Sequence, residues 1–194
     1  MIIVISGKAR AGKDTLGKML QEAMEEEYFI MAYATDLKRR LRDDFDLGRE
    51  QLHGNLKEVP DERYPKKDGG YWTPREMLQF IGTDVYRSID DLFWVKQLFK
   101  YVDRNNLKNV IIIDGRFPEE IEEVKNRGGF HVKIFRDADL EIHGTDHASE
   151  TALDGSIYAD FIVNNNGSFD DLRYVVEKLK KDIKEKENDD GKRL

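Results

Sequence analysis

No cysteine occurs in the 194 residues, so disulfides, zinc–thiolate centres and thiol catalysis are all excluded. An excess of positive charge is missing as well: 32 lysines and arginines face 39 aspartates and glutamates, for a net charge of −7. No unbalanced basic stretch offsets this. A nucleic-acid polymer is therefore not expected as a partner, since polymer phosphates need a basic surface. A small phosphorylated ligand asks less, because a few arginines in a cleft suffice. Long apolar runs are absent too. The opening segment Ile2 to Ile5 is far too short to cross a bilayer and has neither the basic lead-in nor the cleavage site of a signal peptide. No membrane association and a cytoplasmic location are expected.

What is present is a soluble composition, 39% hydrophobic and 37% charged. The length suits one ordinary domain spanning 1–194, with core enough for a sheet covered by helices. Ile2 to Ile5 reads as a buried strand, followed by a glycine-bounded loop. A helix follows at once, with Leu16, Met19, Leu20, Ala23 and Met24 at helical spacing. Phe29 to Tyr33, Val110 to Ile113, Val132 to Phe135 and Phe161 to Val163 are further strand candidates. Leu37, Leu41 and Phe45 mark one helical face. Thr73-Pro74-Arg75-Glu76 has the form of a capping box with proline at the first helical position. Another helix is expected from about Asp84 to Val102, one from Pro118 to Arg127, and a last one carrying Leu172, Val175, Val176, Leu179 and Ile183. Residues 48–72, punctuated by glycine and proline, read as a surface excursion, and 137–156 as a loop or lid. Strands alternating with helices predict a three-layer α/β/α sandwich around a parallel sheet.

Gly7-Lys8-Ala9-Arg10-Ala11-Gly12-Lys13 has the spacing of a phosphate-binding loop, set between a strand and a helix as its mechanism requires. Backbone N–H groups can turn inward around phosphate oxygens, and the following helix aims its positive end at the same place. Lys13 is placed to reach the β- and γ-phosphates of a nucleotide. Asp14 stands where such loops usually carry serine or threonine. A carboxylate there could hold Mg²⁺, leaving Thr15 as the nearest hydroxyl.

Asp114 closes an apolar strand, the place where open α/β sheets bind ligands. It is a second candidate for Mg²⁺ or its bound water, with Arg116 two residues on as a phosphate contact. Capping of the helix at Pro118 is the plainer alternative for both. Arg39, Arg75, Arg87, Arg116 and Arg136 are the arginines available for a second anion. Arg75 lies in the first turn of its helix, a poor place for a cation unless an anion is near. Gln79 lies one turn further on, and Thr83 and Arg87 are again four apart. Taken singly, each of these is better explained as a plain surface or capping residue. In the lid segment His147 could touch phosphate or substrate, while Ser149 and Glu150 could simply cap. A metal site on His143 and His147 lacks a third ligand. The turn Asn164-Asn165-Asn166-Gly167 precedes a helix capped by Ser168. It could line an adenine pocket or serve as a structural turn.

Six segments together resemble the deoxynucleoside monophosphate kinases of bacterial viruses, within the adenylate-kinase-like P-loop group. They are Gly7 to Thr15; Tyr33-Ala34 with Leu37-Lys38; Thr73 to Asp84; Asp114-Gly115-Arg116-Phe117-Pro118-Glu119-Glu120; His147-Ala148-Ser149-Glu150; and Asn164 to Ser168. The resemblance implies a nucleoside monophosphate kinase-like fold, with an acceptor-binding insert around 34–90 and a lid around 137–156. It implies transfer of the γ-phosphoryl group of ATP to deoxynucleoside monophosphates with Mg²⁺. Gly7, Ala9, Arg10, Ala11, Gly12, Lys13, Asp14, Thr15, Asn164 and Gly167 would then hold the donor. Lys38, Arg75, Gln79, Thr83, Arg87 and His147 would hold the acceptor. Lys13, Asp114, Arg116 and Arg136 would serve the transfer, and Asp14 and Asp114 the metal. A homodimer is compatible with the resemblance, as is a host-cytoplasm location for a viral enzyme. Residues 48–72 and the lid depart from the family pattern. Two alternatives remain open on the residues alone. One is another small-molecule P-loop kinase, of the dephospho-coenzyme A or phosphomevalonate type. The other is a nucleotide-dependent switch, which would not need the acceptor-side arginines.

Overall fold

Ile3, Val4 and Ile5 are completely buried, and successive side chains of a strand face opposite sides of its sheet. A segment apolar on both faces must therefore lie in the middle, and it does. The computed structural model describes residues 1–137, 147, 152–153 and 159–191. Its five strands are β1 (Ile2–Ser6), β2 (Phe29–Met31), β3 (Val110–Gly115), β4 (Phe130–Phe135) and β5 (Phe161–Asn164). They form one sheet in the order β2-β3-β1-β4-β5 with every pairing parallel. The strand expected over Phe29 to Tyr33 is shorter than expected, because Tyr33 already turns into the next helix.

The chain divides into two compact units, Met1–Ala32 with Lys100–Leu194, and Tyr33–Phe99. In the first, helix α1 (Lys13–Ala23) packs against the last helix of the chain, Phe169–Gly191. Leu16 and Leu20 from α1 join Ile3, Ile5, Ile111, Val132 and Ile134 of the sheet and Leu172, Val176, Leu179 and Ile183 of the last helix in one buried cluster. Helix Pro118–Asn126 packs on β4 and β1. A Cβ built at Gly115 would touch both Val4 Cγ2 and Ile121 Cδ1, so this helix covers the face opposite Ile3 and Ile5. Sheet between helical layers is the three-layer α/β/α architecture that the alternation predicts. The last helix continues through the mixed-charge tail as far as Gly191. There Lys180 and Lys184 pair with Glu25 across from the end of α1.

The second unit contains α2 (Ala34–Phe45), α3 (Arg49–His53), a 3₁₀ turn (Asn55–Glu58), α4 (Pro74–Gln79) and a π-helical stretch (Phe80–Arg87). Helix α5 (Phe93–Arg104) carries the chain from the second unit into the first. Residues 48–72, read from sequence as a plain surface excursion, are built around one carboxylate. Asp61 is 9% exposed. It accepts hydrogen bonds from Gln51 Nε2 at 2.7 Å, from Arg63 Nη2 at 2.7 Å and Nε at 2.9 Å, and from the Arg63 amide at 3.1 Å. These donors hold its carboxyl well below the usual carboxylate range despite the opposing effect of burial. The capping box at Thr73 is present as expected. Thr73 Oγ1 accepts from the Glu76 amide at 3.1 Å, and the Glu76 carboxylate accepts from the Thr73 amide at 2.8 Å. The long helix expected from Asp84 to Val102 is interrupted at Asp90, whose carboxylate accepts from the Leu92 amide and starts α5.

Candidate active site

The loop between β1 and α1 owes its shape to backbone that ordinary residues resist. Gly7 has φ of 154° and Gly12 φ of 100°. A Cβ at Gly7 would collide with the Ile134 carbonyl oxygen, and one at Gly12 would sit 2.5 Å from Asn165 Nδ2. Arg10 also adopts positive φ, 66°. The Ala11 amide donates to the Lys8 carbonyl at 3.2 Å and closes the turn. Lys13 then folds back over the loop, its Nζ donating to the carbonyls of Gly7 at 2.6 Å and Lys8 at 2.8 Å. Asp14 is exposed in the first turn of α1 and Thr15 is half-buried behind it. An acidic side chain there suits the positive helix end.

The neighbouring strand ends share this rim. Ser6 is in register with Gly115 of β3 and with Lys133 of β4. The loop after β1 therefore lies beside both the Asp114–Arg116 segment and the end of β4. Connections from β1 and β3 run to opposite sides of the sheet, which is the switch-point crevice where such sheets bind ligands. Helix capping beyond β3 falls to Glu120. It is 3% exposed and accepts from the amides of Arg116 at 2.6 Å and Phe117 at 3.0 Å. Arg136, just past β4, donates from Nε to the Asn165 carbonyl at 3.0 Å, and it has no carboxylate partner among the described residues. Asn165 Nδ2 in turn donates to the Ala11 carbonyl at 2.8 Å. Asn164 is exposed and accepts from the Asn166 amide at 2.9 Å, and Gly167 leads into the Ser168 cap.

In the second unit the candidate acceptor residues have defined surroundings. Arg75 is ion-paired with Glu58, so the anion expected beside its helix N-terminus is one the chain itself supplies. Gln79 and Thr83 are half-buried, and Arg87 is 6% exposed at the end of the π-helical stretch. Lys38 Nζ is 3.4 Å from His53 Nδ1, and Arg39 pairs with Asp36 at 3.2 Å. His147 is half-buried. The other candidates in the expected lid, His143, Ser149 and Glu150, lie outside the described residues.

Two residues were not singled out by sequence reasoning. Arg40 stacks over Tyr86, 5.4 Å from the ring centroid, and donates to its hydroxyl at 3.3 Å. Its Nε is buried with no hydrogen-bond partner, and no carboxylate pairs with it among the described residues. The available signal was its place on the α2 face of buried Leu37 and Leu41. Asn165 is 7% exposed. Its signal was strand parity, since it falls two residues after buried Val163.

A glycine-bounded loop opening a helix, with its lysine over the loop and a carboxylate on the adjacent strand end, is the equipment of P-loop nucleotide enzymes. Residues 50–176 match the model of the deoxynucleotide monophosphate kinase family. The matched stretch takes in Asp114 but begins beyond the phosphate loop, so the loop is an observation separate from the match. The chain belongs to the deoxynucleotide monophosphate kinase family and is a kinase of deoxynucleoside monophosphates. It is 29% identical over 193 residues to a protein of Acanthamoeba polyphaga mimivirus assigned as a deoxynucleotide monophosphate kinase, covering 89% of this chain and 92% of that one. It is 27% identical over 113 residues to the deoxynucleotide monophosphate kinase of Escherichia phage RB69, covering 56% of this chain and 45% of the phage protein. Among solved structures, dephospho-CoA kinase from Campylobacter jejuni aligns with a TM-score of 0.45 at 15% identity, over 94% of this chain and 96% of that one. Among the described residues, no helix is long and apolar enough to cross a membrane.

Proposed function

We propose that the donor is ATP, held by the Gly7–Thr15 loop, and that its γ-phosphoryl group passes directly to the phosphate of a deoxynucleoside monophosphate. The observation that carries this is the loop itself: Lys13 Nζ lies at the carbonyls of Gly7 and Lys8, 2.6 and 2.8 Å away, where an ammonium can exchange those contacts for phosphate oxygens. The acceptor phosphate is ionised at neutral pH, so its oxygen attacks in line without a strong general base. The Pγ–O bond to the acceptor forms as the bond to the ADP oxygen breaks. Lys13, Arg116 and Arg136 offset the charge on the transferring group, and Asn164 and Gly167 border the donor nucleoside.

Asp14 and Asp114 are hard oxygen donors on adjacent segments of one rim, a donor set that fits Mg²⁺ with retained waters. The ion would supply charge neutralisation on the donor phosphates. Lys38, Arg75, Gln79, Thr83 and Arg87 are assigned to the acceptor, which makes the Tyr33–Phe99 unit the acceptor-binding insert. Arg75 would then exchange Glu58 for the substrate phosphate. Residues 137–156, with His147, are assigned the role of a lid that excludes water. The partner is a small nucleotide rather than a polymer, a homodimer is compatible, and the setting is cytoplasmic.

The test is ADP formation from Mg-ATP with each deoxynucleoside monophosphate, its ribose counterpart, dephospho-coenzyme A and phosphomevalonate offered separately. Stimulation by deoxynucleotides, with the matching diphosphate appearing, supports the assignment. Stimulation by a non-nucleotide acceptor alone would overturn the acceptor side while keeping the loop's role.

A further inference from the structure

A phosphate loop works only if its peptide N–H groups point at the ligand, and each such peptide must then send its carbonyl the other way. In a trans peptide the C=O of one residue and the N–H of the next are antiparallel. The carbonyls that turn inward to the protein therefore need partners there, since a buried carbonyl without one is costly. For the Ala11–Gly12 peptide that partner is the Asn165 side chain. Ala11 is fully buried and Asn165 is 7% exposed, and Asn165 Nδ2 lies 2.8 Å from the Ala11 carbonyl oxygen. With that carbonyl turned to the interior, the Gly12 N–H points to the open side of the loop, next to Lys13. The fit leaves little play: a Cβ at Gly12 would come within 2.5 Å of the same Nδ2.

Asn165 is itself fixed from the other side. Its amide donates to the Phe135 carbonyl at 2.9 Å, and its own carbonyl accepts from Arg136 Nε at 3.0 Å. Next to it, the Asp137 amide donates to Asn166 Oδ1 and Asn166 Nδ2 donates to Asp137 Oδ2, both at 2.7 Å. The turn after β5 is thus fastened both to the phosphate loop and to the segment bearing Arg136.

We propose that Asn165 is a positioning residue for phosphoryl transfer: its side chain fixes the Ala11–Gly12 peptide with the Gly12 N–H facing the donor phosphates, and its backbone carbonyl keys Arg136 to the same loop. This rests on the reading of Gly7–Thr15 as the donor site and Arg136 as a transfer residue. Asn165 acts through these groups and does not itself touch the reacting atoms. A residue that merely stabilised the fold would, when replaced, lower the melting temperature and affect both substrates alike. Asn165 should instead affect the donor selectively.

The experiment compares Asn165→Ala and Asn165→Asp with the unaltered chain. Asn165→Asp keeps shape but removes the donor N–H, and it carries the test if Asn165→Ala does not fold. The expected result is a rise in KM for ATP of about tenfold or more, with KM for the deoxynucleotide acceptor within twofold of the unaltered chain. Combining Asn165→Ala with Arg136→Ala should give less than the product of the two separate losses in kcat/KM. In glycine-¹⁵N-labelled protein, inorganic triphosphate should shift the Gly12 amide resonance in the unaltered chain and leave it near its free position in either variant. Equal rises in both KM values, full multiplicativity with Arg136→Ala, or an undiminished Gly12 shift would each overturn the proposal. If the unaltered chain shows no Gly12 shift with triphosphate and no turnover of ATP, the donor-site reading itself has failed.

Discussion

Lys13 Nζ lies 2.6 Å from the Gly7 carbonyl oxygen and 2.8 Å from that of Lys8, so no repacking is needed to bring it to a phosphate. Lys13→Ala should lower kcat for deoxynucleotide phosphorylation by about 10²- to 10³-fold, the loss typical of one preorganised charge-stabilising donor. Its melting temperature should stay close to that of the unaltered chain, measured by calorimetry beside the kinetics. Asp160 makes the opposite kind of prediction. Burial works to raise its pKa, yet hydrogen bonds from Lys186 Nζ at 2.6 Å and the His131 amide at 2.8 Å, with the charges of Lys125 and Lys186, hold it below the ordinary carboxylate value. A depressed folded-state pKa means stability that is present above about pH 4 and lost as the pH falls through the folded value. Asp160→Asn should cost about 1–3 kcal/mol in urea unfolding at pH 7. The gap between variant and unaltered chain should narrow below about pH 4, and a gap independent of pH would contradict the assignment. Residues of these two kinds were unequally legible in the sequence. Lys13 stands in a motif whose spacing announces its chemistry. Asn165 lies in a tract of three asparagines, and its role depends on contact with Ala11, a residue 154 positions away.

Elements were legible where one period dominated. The apolar run Ile2 to Ile5 and the 3.6-residue spacing of Leu172, Val176, Leu179 and Ile183 each allow one packing solution, and β1 and the last helix follow. Residues 48–72 were opaque because their order comes from side-chain contacts between distant positions, above all Asp61 with Gln51 and Arg63. The π-helical stretch Phe80–Arg87 was hidden for another reason. Its one-residue excess per turn leaves the local propensities unchanged, and such turns are frequent at functional sites. Gly82 shows what fixes it. A Cβ there would lie 2.6 Å from Leu37 Cδ2 on α2, while its carbonyl accepts from Trp94 Nε1 at 2.8 Å. Gly82→Ala gains about 1 kcal/mol in helix propensity but forces a buried leucine to move, at about 1–3 kcal/mol. A net loss of up to about 2 kcal/mol is expected from these opposing terms. In a Leu37→Ala background the collision is gone, and the same change should become neutral or stabilising. Denaturant unfolding of the four proteins measures that coupling, and equal effects in both backgrounds would contradict it.

At the scale of the whole molecule, the proposed donor loop lies in the unit Met1–Ala32 with Lys100–Leu194, and the residues proposed for the acceptor in Tyr33–Phe99. The family match over residues 50–176 covers most of the acceptor candidates and none of the phosphate loop. Family membership therefore leaves the donor assignment to be tested separately. Ligand-dependent melting can do so for both sites. A ligand at 100 times its Kd stabilises the folded chain by about 2.7 kcal/mol, which for a chain of this length corresponds to a rise of about 5–10 °C. Mg-ATP and a deoxynucleoside monophosphate, offered separately to the unaltered chain, should each give such a rise. Lys13→Ala should lose the rise with Mg-ATP and keep the one with the monophosphate. Arg87→Ala should do the reverse. Because Arg87 is 6% exposed, its replacement also lowers the ligand-free melting temperature, so each variant is read against its own ligand-free value. If Arg87→Ala lost the ATP response instead, the Tyr33–Phe99 unit would be bound up with the donor and the acceptor assignment would move elsewhere in the chain.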